Sequence, residues 1–172
     1  MYTWRITKYN PLYRNSSGDY TNQEWTSYSD IGKHFGGKQF NFEDYIEIEN
    51  KYISTVLQFM NCLHLQEIEI RELEKYETDI SYDENIDREM SNLLKNIKDK
   101  ATINIAVVPH LCKLILREHL WGKLVVNSTL YIHFGYDYYM YIGSSKKCDM
   151  VLEKVSHNGL YIEECQSPYQ GE

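Results

Sequence analysis

Residues 130–143, Leu-Tyr-Ile-His-Phe-Gly-Tyr-Asp-Tyr-Tyr-Met-Tyr-Ile-Gly, alternate more regularly than any other part of the chain. Successive side chains of a β-strand point to opposite faces of the sheet, so every second residue shares a face. This stretch therefore predicts a central strand whose apolar face the rest of the chain must cover. The apolar set is Leu130, Ile132, Phe134, Tyr136, Tyr138, Met140 and Ile142, and the opposite, tyrosine-rich set is Tyr131, His133, Gly135, Asp137, Tyr139, Tyr141 and Gly143.

Gly135 leaves two structures open for this stretch, because glycine either forms a bulge in one long strand or begins the turn of a hairpin. In a straight strand His133 and Asp137 would lie about 13 Å apart and would not touch. A bend would let them pair, and the carboxylate would then raise the basicity of the imidazole. Such a pair suits acid–base chemistry, whereas a hydrogen-bonded strand histidine and a turn aspartate are the structural alternative. No nucleophile lies at a diagnostic spacing, so we assign no catalytic residue.

Periodicity predicts the remaining elements, since alternation marks strands and apolar residues at i, i+3, i+4 and i+7 mark helices. Residues 9–40 mix Pro and Gly with many aromatics, which predicts a long ordered loop lying across the sheet. The order of elements predicts one α+β domain over 1–172, with an antiparallel or mixed sheet and helices packed mainly on one face. The predicted strands are 2–8, 66–73, 121–127 and 160–165; the predicted helices are 42–62, 86–97, a short one from Pro109, and 144–158; residues 101–108 fit either a buried strand or an extended lead-in.

The negative charge of the chain is concentrated in one segment. Residues 67–89 hold ten acidic and three basic residues, so this segment alone carries the net charge of −7 that the whole chain has. A nucleic-acid-binding domain would be expected to present a basic face, so we predict no nucleic-acid partner. A concentrated acidic surface instead favours encounter with a basic protein, although a solvated surface that only aids solubility is the alternative.

The sequence also bears on the compartment of the protein. No stretch approaches the roughly 18–20 apolar residues of a membrane span, and the N-terminus does not resemble a signal peptide, so we predict a cytoplasmic protein without a membrane partner. The four cysteines, Cys62, Cys112, Cys148 and Cys165, are far apart in sequence. In a reducing cytosol they are predicted to be free, mostly buried thiols.

Cofactor and metal motifs are incomplete. The segment 32–38, Gly-Lys-His-Phe-Gly-Gly-Lys, lacks the order of a phosphate-binding loop, so we interpret it as a turn. His110, Cys112 and His119 share a helical region, but no second Cys or His pair completes a tetrahedral zinc site. We therefore predict no cofactor and no metal.

Tyrosine is unusually frequent, with 16 tyrosines against five phenylalanines. Its large ring and hydroxyl suit protein interfaces, so the tyrosine-rich face of 130–143 together with the loop around 25–30 predicts a binding surface. The alternative is that the loop covers the sheet and these rings pack on one another. The candidate binding residues are Trp25, Tyr28, Asp30, Tyr131, His133, Asp137, Tyr139 and Tyr141 on this surface, and Glu72, Glu74, Glu77, Asp79 and Glu84 in the acidic segment.

Three motifs carry a resemblance to known proteins: Glu-Trp-Thr-Ser-Tyr-Ser-Asp-Ile-Gly at 24–32, Phe-Gly-Tyr-Asp-Tyr-Tyr-Met-Tyr-Ile-Gly at 134–143 and Gly-Leu-Tyr-Ile-Glu-Glu-Cys-Gln-Ser-Pro-Tyr at 159–169. In these motifs the chain resembles small, mostly uncharacterised bacterial cytosolic proteins of the kind proposed as immunity partners of polymorphic toxins. The resemblance leaves residues 41–120 without matching motifs and transfers no catalytic residue. It implies a bacterial, non-secreted protein.

Three functions follow as hypotheses. The first is a protein-binding protein, an immunity protein that neutralises a basic toxin domain through its acidic and tyrosine-rich surfaces. The second is a small enzyme or ligand-binding protein with a pocket between the 9–40 loop and the 130–143 strand. The third is a structural subunit of a larger assembly; the sequence does not predict an oligomeric state.

Overall fold

The computed structural model of the chain describes residues 1–76 and 83–169, and it confirms the predicted α+β class. Residues 101–108, which fitted two structures, form a short strand and then lead into a helix that begins one residue before Pro109. The strands are β1 (Tyr2–Thr7), β2 (His34–Phe35), β3 (Lys38–Gln39), β4 (Glu67–Lys75), β5 (Thr102–Asn104), β6 (Leu120–Val126), β7 (Leu130–Phe134), β8 (Tyr139–Ser144) and β9 (Tyr161–Glu164), and the helices are α1 (Phe42–Cys62), α2 (Arg88–Asn96), α3 (Val108–Leu116) and α4 (Asp149–His157).

Seven of these strands form one sheet in the order β5-β4-β6-β7-β8-β1-β9, and β2 and β3 form a separate small hairpin within residues 9–40. Every neighbouring pair in the large sheet is antiparallel. The N-terminal strand β1 is inserted between β8 and β9, so both ends of the described chain contribute to the same half of the sheet. None of the helices in the described ranges has the length and apolarity needed to cross a bilayer.

The 130–143 stretch is a hairpin rather than one long strand. The backbone N–H of Gly135 donates to the carbonyl of Tyr139 over 2.7 Å, and residues 136–138 form a tight turn in which Asp137 and Tyr138 have φ of 57° and 61°. Phe134 pairs with Met140, which keeps the alternate residues of both strands on the predicted faces. Tyr136 is the exception, because it lies in the turn and is 82% exposed instead of joining the apolar face.

The apolar face of the sheet forms the core with the helices. Leu130, Ile132, Phe134, Met140 and Ile142 are all buried in it. The long helix α1 contributes rings to this core, as its apolar stripe predicted, and the ring centroids of Phe59 and Trp4 are 5.6 Å apart. Its Asn41 cap accepts a hydrogen bond from Asp44, the arrangement expected where a helix begins.

The tyrosine-rich face is covered by the C-terminal segment of the described chain. The Tyr169 ring lies 5.8 Å from Trp121 and 6.0 Å from Tyr141, measured between ring centroids. The ring of Tyr131 lies so close over Gly143 that an added Cβ would be 1.9 Å from it, which explains the glycine at that position. This face is therefore packed, and its buried tyrosines are not accessible in the isolated chain.

Cys62 and Cys148 form a disulfide, so the prediction of four free thiols is wrong for this pair. The two Cα atoms are 6.2 Å apart although the residues are 86 positions apart in sequence. The end of α1 and the start of α4 meet only in the folded chain, and sequence distance gave no sign of that contact. Cys112 and Cys165 are free, as predicted, and burial raises the pKa of the Cys112 thiol.

Candidate functional site

The acidic segment lies along β4 and at the start of α2. In β4 a bulge at Glu72, which has φ of 54°, shifts the register between Arg71 and Glu74 and brings the Glu72 carboxylate 2.6 Å from the Lys123 ammonium. Glu74 and Glu84 are exposed and make no ion pair within the described part of the chain. Glu77 and Asp79 lie outside the described residues.

Two exposed tyrosines, Tyr76 and Tyr136, lie beside this acidic row. Tyr76 is 42% exposed and its backbone N–H donates to the carbonyl of His119 over 3.1 Å. This contact places Tyr76 next to Glu118, which precedes His119 in the chain, and Glu74 is two residues from Tyr76. Partial burial raises the pKa of Tyr76, and the nearby Glu74, Tyr136 and Glu118 raise it further, in that order. We call Glu74, Tyr76, Glu118 and Tyr136 the acid–tyrosine surface.

A buried ion pair between Arg117 and Glu49 lies next to this surface in the chain, because Arg117 directly precedes Glu118. The Arg117 guanidinium donates to both carboxylate oxygens of Glu49, over 2.7 and 2.8 Å, and also to the carbonyl of Asn85 over 2.7 Å. The Glu49 side chain is fully buried and that of Arg117 is 3% exposed. The Tyr45 hydroxyl donates to the same Glu49 carboxylate over 3.0 Å, so the buried charge is well satisfied. Arg117 directly precedes Glu118, and this network therefore fixes the backbone from which Glu118 projects.

Asp83 ties the loop around Tyr28 to the same region. The Tyr28 hydroxyl donates to Asp83 over 3.1 Å, and the His119 imidazole lies 3.1 Å from the other Asp83 oxygen. Burial opposes ionisation, but hydrogen bonds from the Asn85 backbone, His119 and Tyr28 hold the pKa of Asp83 below its usual value. The sequence analysis predicted neither the Asp83 contacts nor the buried ion pair between Glu49 and Arg117. The signal that could have revealed the ion pair is the position of Glu49, a charged residue on the apolar stripe of α1, four residues from both Tyr45 and Ile53.

The other loop candidates, Trp25 and Asp30, make contacts within the fold, and Trp25 lies near Tyr45 at the start of α1. Trp25 stacks on Phe40 with ring centroids 4.4 Å apart and meets Tyr138 at 4.9 Å. Asp30 is 9% exposed and accepts backbone hydrogen bonds from Thr26 and Ser27, which cap a short turn. Trp25 and Asp30 therefore have clear structural roles in holding the 9–40 loop.

The candidates on the tyrosine-rich face are likewise engaged within the fold. Tyr131 and Tyr141 are buried, at 8% and 9% exposure, and Tyr139 lies beneath the guanidinium groups of Arg5 and Arg14. Consequently, the structure does not bring the strand tyrosines and the 25–30 loop together as one exposed patch.

His133 lies in β7 and Asp137 lies in the hairpin turn, and no hydrogen bond joins their side chains. The Nδ1 atom of His133 is 2.8 Å from the Ser167 hydroxyl, whereas Asp137 is exposed at the hairpin tip. Burial, and secondarily the nearby Lys123, lowers the pKa of His133 to about 4. His133 is therefore a buried, neutral histidine that is hydrogen-bonded to Ser167, and it does not form an acid–base pair with Asp137.

Lys8, at the start of the 9–40 loop, has a largely enclosed ammonium group. Its ammonium lies 4.1 Å from the centroid of the Tyr9 ring, 4.2 Å from that of Trp25, and 3.1 Å from the Glu24 carboxylate. Burial lowers the pKa of Lys8 to about 8, against the opposing effect of Glu24. Perturbed lysines of this kind occur at reactive sites as well as in structural ion pairs.

Shallow clefts open on the described part of the chain, and three of them are lined by residues outside the 9–40 loop and the 130–143 hairpin. One of about 200 Å³ lies over β4 and β6, one of about 520 Å³ between α1 and α4, and one of about 460 Å³ between α2 and α3. Among the described residues, the side chains of Asp87, Glu89 and His110 at the third cleft place potential metal-ligand atoms within 4.8 Å of one another.

Comparison with known proteins identifies no relative: no family model, no curated protein and no solved structure matches the chain.

The neutral state of His133 predicts a pH dependence of stability. Its pKa of about 4 in the fold lies below the value of about 6.5 expected in the unfolded chain, so acid favours unfolding. The contribution of neutral His133 to the free energy of unfolding is fully present above pH 6.5. It is lost as the pH falls from 6.5 toward 4, at roughly 1.4 kcal/mol per pH unit. Urea unfolding of His133→Gln should show a shallower loss over this window than wild type. The exposed His157→Gln variant is the control, and equal slopes in all three proteins would contradict the prediction.

Proposed function

We propose that this chain is a protein-binding protein that engages a basic protein partner through the acid–tyrosine surface, in the manner of an immunity protein that neutralises a toxin. The observation that carries the proposal is that Tyr76 and Tyr136, which are 42% and 82% exposed, lie near the acidic residues Glu74 and Glu118. Tyrosine supplies large contact area with little entropy to lose, and it is enriched among the residues that dominate binding energy.

Charge and rigidity both support this role. The exposed carboxylates of Glu74 and Glu84 favour encounter with a cationic partner, because complementary charge speeds association. The strand β4 and the buried Arg117–Glu49 pair hold the surface in place, which lowers the ordering cost of binding. Glu72 extends the acidic row along β4. Because it already pairs with Lys123, it attracts a cationic partner less strongly than Glu74 does.

A cytoplasmic location is part of the proposal and is in tension with one structural feature. Disulfides such as Cys62–Cys148 are rare in reducing compartments. Rapid alkylation of thiols in intact cells, followed by mass spectrometry, resolves the question. Cytoplasmic residence predicts that this pair is trapped reduced or partly oxidised, whereas complete oxidation in the cell would contradict a cytoplasmic location.

The proposal predicts that charge reversal in the acidic segment weakens binding. The double variant Glu74→Lys/Glu84→Lys should bind the partner at least tenfold more weakly, because two attractive contacts with a basic surface become repulsive. The partner is first captured with the tagged protein from nuclease-treated native lysate and identified by mass spectrometry, and its affinity is then measured at two salt concentrations. Tyr136→Ala should weaken binding with little change in the salt dependence.

The matched control is Glu153→Lys/Glu164→Lys, which makes the same change in net charge at exposed positions of α4 and β9. It should bind like wild type. Equal losses in both double variants would show that the effect comes from net charge alone. Unchanged affinity in Glu74→Lys/Glu84→Lys would show that neither glutamate lies in the interface, and would contradict the proposed role of the acidic residues. Capture of an acidic partner would contradict the proposed charge complementarity.

The alternative function, an enzyme or ligand-binding protein at the junction of the 9–40 loop and the hairpin, is favoured by one observation, the lowered pKa of Lys8. It predicts that a small molecule raises the melting temperature of wild type and not of Lys8→Met. A metabolite screen in which no compound distinguishes the two proteins would count against this alternative.

A further inference from the structure

The side chains of Asp87, Glu89 and His110 meet where the start of α2 faces the start of α3. The Nε2 atom of His110 is 3.1 Å from Glu89 Oε2 and 3.9 Å from Asp87 Oδ2, and the three ligand atoms all lie within 4.8 Å of one another. A divalent transition metal binds such atoms at about 2.0–2.2 Å, which requires ligand atoms about 3–4 Å apart. The observed spacing therefore suits a shared cation after only small side-chain rotations.

We propose that Asp87, Glu89 and His110 form a binding site for a divalent transition metal of the zinc class. One imidazole nitrogen and two carboxylate oxygens match the ligand preference of Zn²⁺ and its neighbours, whereas Mg²⁺ and Ca²⁺ prefer sites made of oxygen alone. The two carboxylates also supply the negative charge that offsets the divalent cation.

The fold holds these ligands in place. Asp87 caps α2, because its Oδ1 accepts the backbone N–H of Met90 over 2.7 Å, and this bond leaves Oδ2 directed toward His110. The neighbouring residues Met90 and Leu111 are fully buried, so the backbones that carry Glu89 and His110 are anchored in the core. The ligands come from two helices that pack against each other, which gives the site a defined geometry that a lone acidic cluster lacks.

The site has an open side. Glu89 and His110 line the cleft of about 460 Å³ between α2 and α3, together with Asn92, Leu93, Ala106 and Val107. Three protein ligands with an accessible remaining position are the pattern of sites that bind water or an external ligand, whereas structural zinc sites are closed by four protein ligands. The cation would therefore be exchangeable, and it would be accessible to a fourth ligand from outside the chain.

The test is titration of the full chain, free of any histidine tag, with Zn²⁺ by calorimetry, and with Co²⁺ by visible absorption. We expect one saturable equivalent of Zn²⁺, a Co²⁺ spectrum that shows nitrogen ligation, and affinity at least tenfold lower in His110→Ala. Glu89→Gln should show a similar loss while keeping its helix content by circular dichroism, because the Glu89 side chain is largely exposed. Asp87 is left unchanged because its role as helix cap would confuse stability with binding.

Two controls separate this site from general attraction to acidic groups. His34→Ala removes an exposed histidine elsewhere, and Glu84→Gln removes a carboxylate from the same acidic segment; both should bind Zn²⁺ like wild type. No saturable uptake, or equal uptake by His110→Ala and wild type, would show that His110 only pairs with the carboxylates and would overturn the proposal. The result does not depend on any protein partner.

Discussion

Replacing Arg117 by methionine should destabilise the fold by about 3–5 kcal/mol, because it leaves the Glu49 carboxylate buried without its cation. The pair is enclosed by α1 and the end of α3, and both carboxylate oxygens accept hydrogen bonds from the guanidinium. Lysine should be a poor substitute, since it cannot donate to both oxygens of Glu49 and to the carbonyl of Asn85 in the same planar arrangement. The measurement is urea unfolding at pH 7.

The control for this prediction is Arg71→Met, which breaks an exposed ion pair with Glu69 and should cost no more than about 1 kcal/mol. The double variant Arg117→Met/Glu49→Leu should recover much of the lost stability, because it leaves no unpaired charge in the core. If Arg117→Met costs as little as Arg71→Met, the pair is not buried in solution as the structure shows.

Loss of the disulfide between Cys62 and Cys148 is the second large effect that we expect. The cross-link closes a loop of 86 residues, and restricting a loop of that length in the unfolded chain is worth about 4–5 kcal/mol in the chain-entropy model. Cys62→Ser/Cys148→Ser should therefore unfold at markedly lower urea concentration than the oxidised wild type. A reductant should bring wild type to the stability of the double variant and should leave the double variant unchanged.

The chemical evidence for the bond is a count of thiols. Alkylation of the denatured, unreduced protein should label two of its four cysteines, Cys112 and Cys165, and prior reduction should expose all four. Cys165→Ser is the matched control, because it removes a free thiol and should keep the full effect of the reductant. Four labelled cysteines in protein prepared without reductant would contradict the disulfide.

These two experiments also bear on the proposed binding surface. Arg117 precedes Glu118, so a destabilised Arg117→Met should weaken partner binding even though the guanidinium is not exposed. The disulfide lies at the end of α1 near α4, away from the strand pairing that positions Tyr76 and Glu74. A reductant that lowers stability without changing partner affinity at moderate temperature would separate the two effects.

Local sequence patterns were enough to predict the α+β class and most of the longer elements. Alternation in 2–8 and in 130–143, and the apolar stripe of 42–62, are local periodic signals that reflect which face of each element is buried. They placed β1 and α1 within a residue or two, and they placed the 130–143 stretch in the sheet while leaving open whether it was one strand or a hairpin. The acidic character of 67–89 was equally local, because charge can be counted without knowing the fold.

Which side chains remain accessible, and which of them meet, depends on the packing of distant segments and could not be predicted from local patterns. Tyr131 and Tyr141 have the sequence pattern of an exposed face, yet they are buried because the segment around Tyr169 returns to cover them. Glu49 and Arg117, Cys62 and Cys148, and Glu89 and His110 become neighbours through helix packing between distant segments. Periodicity reports the burial of one element at a time, whereas these contacts depend on how elements are placed against each other.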